Sequence, residues 1–206
     1  MNFDLGEDWF INKKLLSKIL NKKYKKDQPL IFAEVGSWKG RSAIWFIENF
    51  LQHLDSVIYC IDTWNINEWN DFNQEKVLLQ SNSQRAKELD VENIYEQFLF
   101  NINFKGYSNK CRVSKKRSIE ALSDFNNNFF DFIYIDGDHS EQGCYDDLKA
   151  AWPKIKTGGI LFGDDWTWQD KGVFPVRKAV KKFAEENSLK TKPLLFHGNG
   201  YYFEKK

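Results

Sequence analysis

The chain has 206 residues, 42% hydrophobic and 17% aromatic, and its 30 Lys and Arg offset 29 Asp and Glu to a formal charge of +1. That is material for one packed domain, which argues against disorder, and a charge near zero offers no field to gather a polyanion, so nucleic acid is not an expected partner. Cys60, Cys111 and Cys144 form no CxxC pair, the N-terminus lacks a signal-peptide pattern, and no run approaches a membrane span of ~18 apolar residues. A cytoplasmic protein with reduced thiols and no membrane partner is expected.

In chain order, residues 9–26 set Phe10, Leu15, Leu16, Ile19 and Leu20 at helical spacing among lysines, which predicts an amphipathic helix within residues 1–29. A solvated polar face accounts for those lysines. Residues 30–35 read as a buried strand, Gly36 to Gly40 as a turn and residues 41–51 as a helix. Strands recur at 57–61, near 111–113, at 130–135 and at 159–162, with helical segments between them, including 141–151 and 176–186. At the end, residues 193–197 and 201–203 flank Gly198-Asn199-Gly200, a tight-turn sequence. The expected fold is α/β: a Rossmann-like, doubly wound, mostly parallel seven-stranded sheet with a C-terminal antiparallel hairpin, in a single domain over residues 1–206. Residues 65–93 are too long and polar for a simple connection, and read as an insertion serving as a lid or as a contact in a homo-oligomer.

In such a sheet, ligands bind beyond the carboxyl ends of the strands. The first strand is followed by Gly36-Ser37-Trp38-Lys39-Gly40-Arg41-Ser42, where glycines permit close backbone approach and a helix start offers free N–H groups. The second ends at Asp62, placed to accept hydrogen bonds from ribose hydroxyls, so the ligand is expected to contain a nucleoside. The turn is neither GxGxxG nor GxxxxGK[ST], which disfavours NAD and ATP. The fourth strand ends in Asp136-Gly137-Asp138-His139-Ser140 and the fifth in Asp164-Asp165. Carboxylates gathered at neighbouring strand ends repel one another unless a cation or protons intervene, and oxygen donors favour a hard ion such as Mg²⁺.

Glu34-x-Gly36-x-x-x-Gly40 followed by Ile61-Asp62-Thr63-Trp64 resembles the cofactor motifs of class I S-adenosylmethionine-dependent methyltransferases, and the likeness runs from about residue 30 to the C-terminus. The resemblance implies that Gly36, Ser37, Gly40 and Ser42 lie under the methionine part of the cofactor, with Glu34 near its amino group. It also implies that Asp62 takes the ribose with Thr63 beside it, and that Arg117 and Ser118 reach the adenine. Trp64 either packs on adenine or is an ordinary partly buried aromatic, and Asp138 either contacts the cofactor or caps the following helix.

More narrowly, Asp136-x-x-His139 with Asp164-Asp165 resembles the macrocin-type Mg²⁺-dependent sugar O-methyltransferases. This resemblance implies Asp136, Asp164 and Asp165 as metal ligands, Asp136 also near the cofactor, and His139 as catalytic base. About 29 residues precede the first core strand, fewer than in those enzymes, which argues against a large macrolide acceptor. The expected activity is O-methylation of a small molecule with vicinal hydroxyls, such as a sugar or glycan precursor. The alternatives are a non-catalytic adenosylmethionine-binding module and an NAD-linked oxidoreductase.

Overall fold

The computed structural model of the chain describes residues 1–65, 93–190, 192–194 and 199–206. After an irregular N-terminal segment come α1 (Lys13–Lys23), β1 (Ile31–Val35), α2 (Arg41–Phe50) and β2 (Val57–Asp62). Beyond residues 66–92 follow α3 (Ile94–Phe104), β3 (Cys111–Lys115), α4 (Ser118–Ser123), β4 (Phe130–Ile135) and α5 (Glu141–Ala151). The chain ends with β5 (Ile155–Gly163), α6 (Pro175–Glu186), β6 (Lys192–Leu194) and β7 (Gly200–Glu204). The insertion expected at 65–93 falls almost wholly outside the described residues.

The seven strands form one sheet in the order β3-β2-β1-β4-β5-β7-β6. Neighbours from β3 to β5 run parallel, and β7 runs antiparallel to both β5 and β6, as the alternating pattern and the terminal turn sequence predict. The predicted elements are recovered with shifted ends. The first helix is shorter, because residues 1–11 form no helix, and β5 is longer than the 159–162 run, starting at Ile155.

Side chains alternate across the pleat, so each strand feeds two cores. Phe32, Ile58, Phe132, Tyr134 and Phe162 face α1, α2 and α3, while Ala33, Val35, Ile133, Ile135 and Leu161 face α4, α5 and α6. Burial on both faces is why these strands read as continuous apolar runs. The first core is dense in aromatic rings: Phe32 and Phe132 stand 4.9 Å apart on adjacent strands, and Phe10, ahead of α1, meets Tyr134 at 5.7 Å. That contact helps draw the N-terminal segment across the carboxyl end of β4.

The chain winds outward in opposite directions from β1 and β4, which leaves a crevice at their carboxyl ends. Three bonds continue the ladder there: Gly36 N–H to Ile61 O at 2.9 Å, Asp136 N–H to Val35 O at 2.8 Å, and Asp164 N–H to Ile135 O at 3.0 Å. The turns after β1, β4 and β5 thus form one contiguous rim.

Candidate active site

The turn after β1 is shaped by two glycines. Gly36 has φ +85°, and a Cβ there would lie 1.9 Å from the carbonyl oxygen of Asp136, so only glycine lets the β1 turn pass so close to the end of β4. Gly40, at φ +88°, is the residue before α2, and a Cβ there would press on the Phe98 ring at 3.2 Å. Ser37, between them, and Ser42, in the first turn of α2, are both buried.

Glu34 lies beneath this turn, fully buried, and neither carboxyl oxygen makes a hydrogen bond among the described residues. Burial pushes its pKa up to about 8; the nearby hydroxyls of Ser42 and Ser37 pull the other way without reaching hydrogen-bond geometry. A buried carboxyl with no partner is costly, so this group is suited to receive a cationic donor such as an ammonium.

Asp62 braces the same turn. One oxygen accepts the N–H groups of Ser37 at 2.9 Å and Trp38 at 3.0 Å, and the other accepts Trp64 N–H at 2.8 Å. Burial raises its pKa, and these backbone donors oppose the rise. Asp62 thus holds the turn in shape. Trp64 is an internal aromatic: its indole donates to Trp38 O at 2.8 Å and its ring packs on Phe98 at 4.8 Å and Tyr95 at 5.1 Å. Thr63 accepts Asn65 N–H at 3.3 Å.

On the other side of the crevice, Arg117 is exposed as the residue before α4 and Ser118 opens that helix, its hydroxyl donating to the carboxylate of Asp147. Asp147 is a group the sequence reading missed. It is buried on α5 and accepts the Asp138 backbone as well, joining the turns after β3 and β4. Burial pushes its pKa up to about 7. Its helical phase, one turn from Cys144 and Ala151 on the apolar face, was the available signal. Asp138 accepts Ser140 N–H at 2.8 Å and lies against Gly143, while Ser140 accepts Gly143 N–H at 3.0 Å. The cap of α5 is therefore Ser140, and the capping role foreseen for Asp138 falls to this neighbour, while Asp138 shapes the turn that leads into it.

The acidic rim gathers Asp136, His139 and Asp165. His139 Nε2 stands 2.9 Å from Asp165 Oδ2 and 3.6 Å from Asp136 Oδ1, and the three side chains can each offer one donor atom within 4.8 Å of the others. Nε2 is buried, and neither contact has hydrogen-bond geometry. Burial works to lower the imidazole pKa, but the charges of Asp165 and Asp136 outweigh it and hold it well above its usual value. The same imidazolium lowers the pKa of Asp165 against the effect of burial; burial raises that of Asp136 despite His139.

Asp164, expected to join this group, lies outside it. One of its oxygens accepts the Tyr134 hydroxyl at 2.6 Å and the other accepts Asp165 N–H at 2.8 Å. Burial, with Asp136 and Asp165 nearby, pushes its pKa up to about 8. Of the two adjacent acids expected here, only Asp165 reaches the group, because Asp164 is drawn to Tyr134 on β4 while Asp165, at φ +62°, turns its carboxylate toward His139. The carboxylates of Asp136 and Asp165 are oxygen donors that a divalent ion accepts, and the buried Nε2 beside them, with no hydrogen-bond partner among the described residues, marks a cluster whose polar capacity those residues do not fill. The residues present fit a metal.

A small open cleft of about 60 Å³ lies against this rim, lined by Leu5, Trp9, Phe10, Trp38 and Arg41 with Ser37, Ser42 and Asp136. Its roof is the N-terminal segment, held by Asp4 to the buried Lys39 at 2.7 Å, by Arg41 to Gly6 O at 2.5 Å, and by Asn101 to Asp4 O at 2.6 Å.

Residues 33–166 match the family model of a methyltransferase domain. The chain belongs to this methyltransferase family. Among solved structures, this methyltransferase is similar to the O-methyltransferase NovP at 18% identity and a TM-score of 0.66, covering 95% of this chain and 78% of that one. A putative caffeoyl-CoA O-methyltransferase from Staphylococcus aureus gives 13% identity and 0.65, with 99% and 86% covered. An O-methyltransferase from Bacillus cereus, solved with SAH, gives 14% and 0.58, with 100% and 85% covered. At these identities the likeness is one of fold. No curated protein matches the chain. Among the described residues, no helix is long and apolar enough to cross a membrane.

Proposed function

We propose that this methyltransferase transfers the methyl group of S-adenosylmethionine to a hydroxyl of a small molecule bearing adjacent hydroxyls, a sugar or glycan precursor being the leading class, with a divalent ion at the acidic rim. The observation that carries the reading is the trio of Asp136, His139 and Asp165 at the ends of β4 and β5, beside the turn that Glu34 and Asp62 support. The O-methyltransferases among the similar structures favour oxygen as the acceptor atom.

Each residue has a task in this reaction. Gly36 and Gly40 keep the turn free of side chains so that the methionine part of the cofactor can lie against it, and Glu34 meets its amino group. Asp136 and Asp165 would hold Mg²⁺, which when bound acidifies a coordinated hydroxyl. His139 takes the acceptor hydroxyl proton at Nε2 as the acceptor oxygen bonds to the methyl carbon and the carbon–sulfur bond breaks, leaving S-adenosylhomocysteine. With their charge taken up by a bound ion, Asp165 and Asp136 would no longer hold His139 protonated, and its imidazole would return to the range of a general base. Trp9, Phe10 and Trp38 give the cleft apolar walls for a ring.

The test is methyl transfer from radiolabelled S-adenosylmethionine to a panel of vicinal diols, sugars, catechols, amines and carboxylates, with Mg²⁺ and with EDTA. Transfer to a diol that EDTA abolishes and Mg²⁺ restores is the expected result. Transfer at the full rate in EDTA would remove the metal from the reading, and transfer only to amines or carboxylates would remove the hydroxyl.

A further inference from the structure

Asp165 is held by a residue far away in sequence. Asn199, the residue before β7, bonds to three consecutive residues after β5. Its Nδ2 donates to Asp165 Oδ1 at 3.3 Å, its carbonyl accepts Trp166 N–H at 2.8 Å, and its Oδ1 accepts Thr167 N–H at 2.5 Å and the Thr167 hydroxyl. Asn199 N–H in turn donates to Oδ1 of Asn12 at 2.9 Å. Asn12, the residue before α1, is completely buried, and its own Nδ2 has no partner among the described residues.

We infer that Asn199 is a positioning residue for Asp165, and that through Asn12 it ties the acidic rim to the N-terminal helix. The two carboxylate oxygens of Asp165 are divided between tasks: Oδ2 faces His139 at 2.9 Å and Oδ1 receives the Asn199 amide. Fixing one oxygen fixes the rotation of the group, and so where the other one points. Asp165 needs such a hold, because its left-handed backbone is an uncommon conformation for a residue other than glycine, and the surrounding structure must maintain it. An asparagine suits the task chemically. Its amide donates to the carboxylate and accepts from Thr167 at once, and being neutral it leaves the charge of Asp165 undiminished for a cation or for His139. An aspartate there could not donate, and a lysine would neutralise the site. The part of this inference that concerns metal affinity rests on the reading of the rim given above.

The test uses the full-length protein and Mn²⁺, whose free signal is read by electron paramagnetic resonance. Asn199→Ala is expected to weaken Mn²⁺ binding at least ~10-fold, the usual effect of losing a group that orients a ligand, while melting temperature and S-adenosylhomocysteine affinity stay within error. Asn12→Ala, which removes a contact one step further out, is expected to act in the same direction by ~3-fold. Wild-type Mn²⁺ affinity in Asn199→Ala would overturn the inference, as would a parallel loss of cofactor binding and melting temperature, which marks a merely structural role. A second readout needs no metal. The side-chain amide resonances of Asn199, assigned by their absence in Asn199→Ala, are expected to shift in Asp165→Ala. If they do not move, the contact is not made and the inference falls. If they move and wild-type protein binds no Mn²⁺, the positioning stands and the metal reading fails.

Discussion

Glu34 turns a structural oddity into a measurable proton. The carboxyl is buried with both oxygens unsatisfied, and its pKa is pushed from 4.5 in the open chain to about 8. Because the folded value is the higher one, the folded protein holds this proton more tightly. The stability that the bound proton contributes is complete below pH 4.5 and is lost progressively as pH rises through 8. The difference of 8 − 4.5 = 3.5 units corresponds to about 5 kcal/mol at ~1.4 kcal/mol per unit, an order-of-magnitude figure. Glu34→Gln keeps the shape and removes the titration. Urea denaturation of both proteins from pH 5 to 9 should show the wild type losing several kcal/mol relative to the variant, with Asp147 and Asp164 contributing alike to each. Cofactor binding gives the complementary result. At pH 7 a carboxyl of pKa 8 is about 90% protonated, and meeting an ammonium ionises it, so S-adenosylhomocysteine should release about 0.9 proton. Calorimetry in two buffers of different ionisation enthalpy measures this, and Glu34→Gln should abolish it. Parallel stability curves together with buffer-independent heats would refute the reasoning.

The turn itself gives a second prediction: Gly36→Ala, which drives a methyl group onto the Asp136 carbonyl at a left-handed φ, should lower stability by ~2 kcal/mol or more and abolish S-adenosylhomocysteine binding by calorimetry. At the rim, Asp136→Asn and Asp165→Asn should each weaken Mn²⁺ affinity at least ~10-fold, and Asp164→Asn should have a smaller effect, because Asp164 faces Tyr134. A larger loss in Asp164→Asn would restore the ligand set expected from the sequence. His139→Ala should lower kcat by ~10²-fold while Mn²⁺ binding persists, whereas loss of both would make His139 a ligand instead of a base.

Much of this protein was legible in its sequence because the relevant signals are local. Runs of buried apolar residues mark β1, β2, β4 and β5, glycines mark the turn at Gly36 and Gly40, the strand-end rule points to Asp62, Asp136, His139, Asp164 and Asp165, and the motif resemblance points to Glu34. These depend on neighbours a few residues apart, and the family match over residues 33–166 covers the same stretch. Trp64 was ambiguous because an aromatic after a strand can face a ligand or a core, and only the approach of Tyr95 and Phe98 from α3 decides for the core.

The rest was decided by tertiary contact. Nothing in the adjacent pair Asp164-Asp165 says which acid faces the crevice; that follows from the left-handed backbone at Asp165 and from Tyr134 on the neighbouring strand. Asp147 is one acid among many until α5 turns it inward against Ser118, and Lys39 is one lysine among many until Asp4 folds over it. Asn12 and Asn199 are common turn residues in sequence, yet they meet across 187 positions to steady the rim. Periodicity and turn chemistry thus determined the sheet and the ends where chemistry would lie. The orientation of each carboxylate was left to hydrogen bonds between distant segments, because a side chain's direction is set by the partners that fold brings to it.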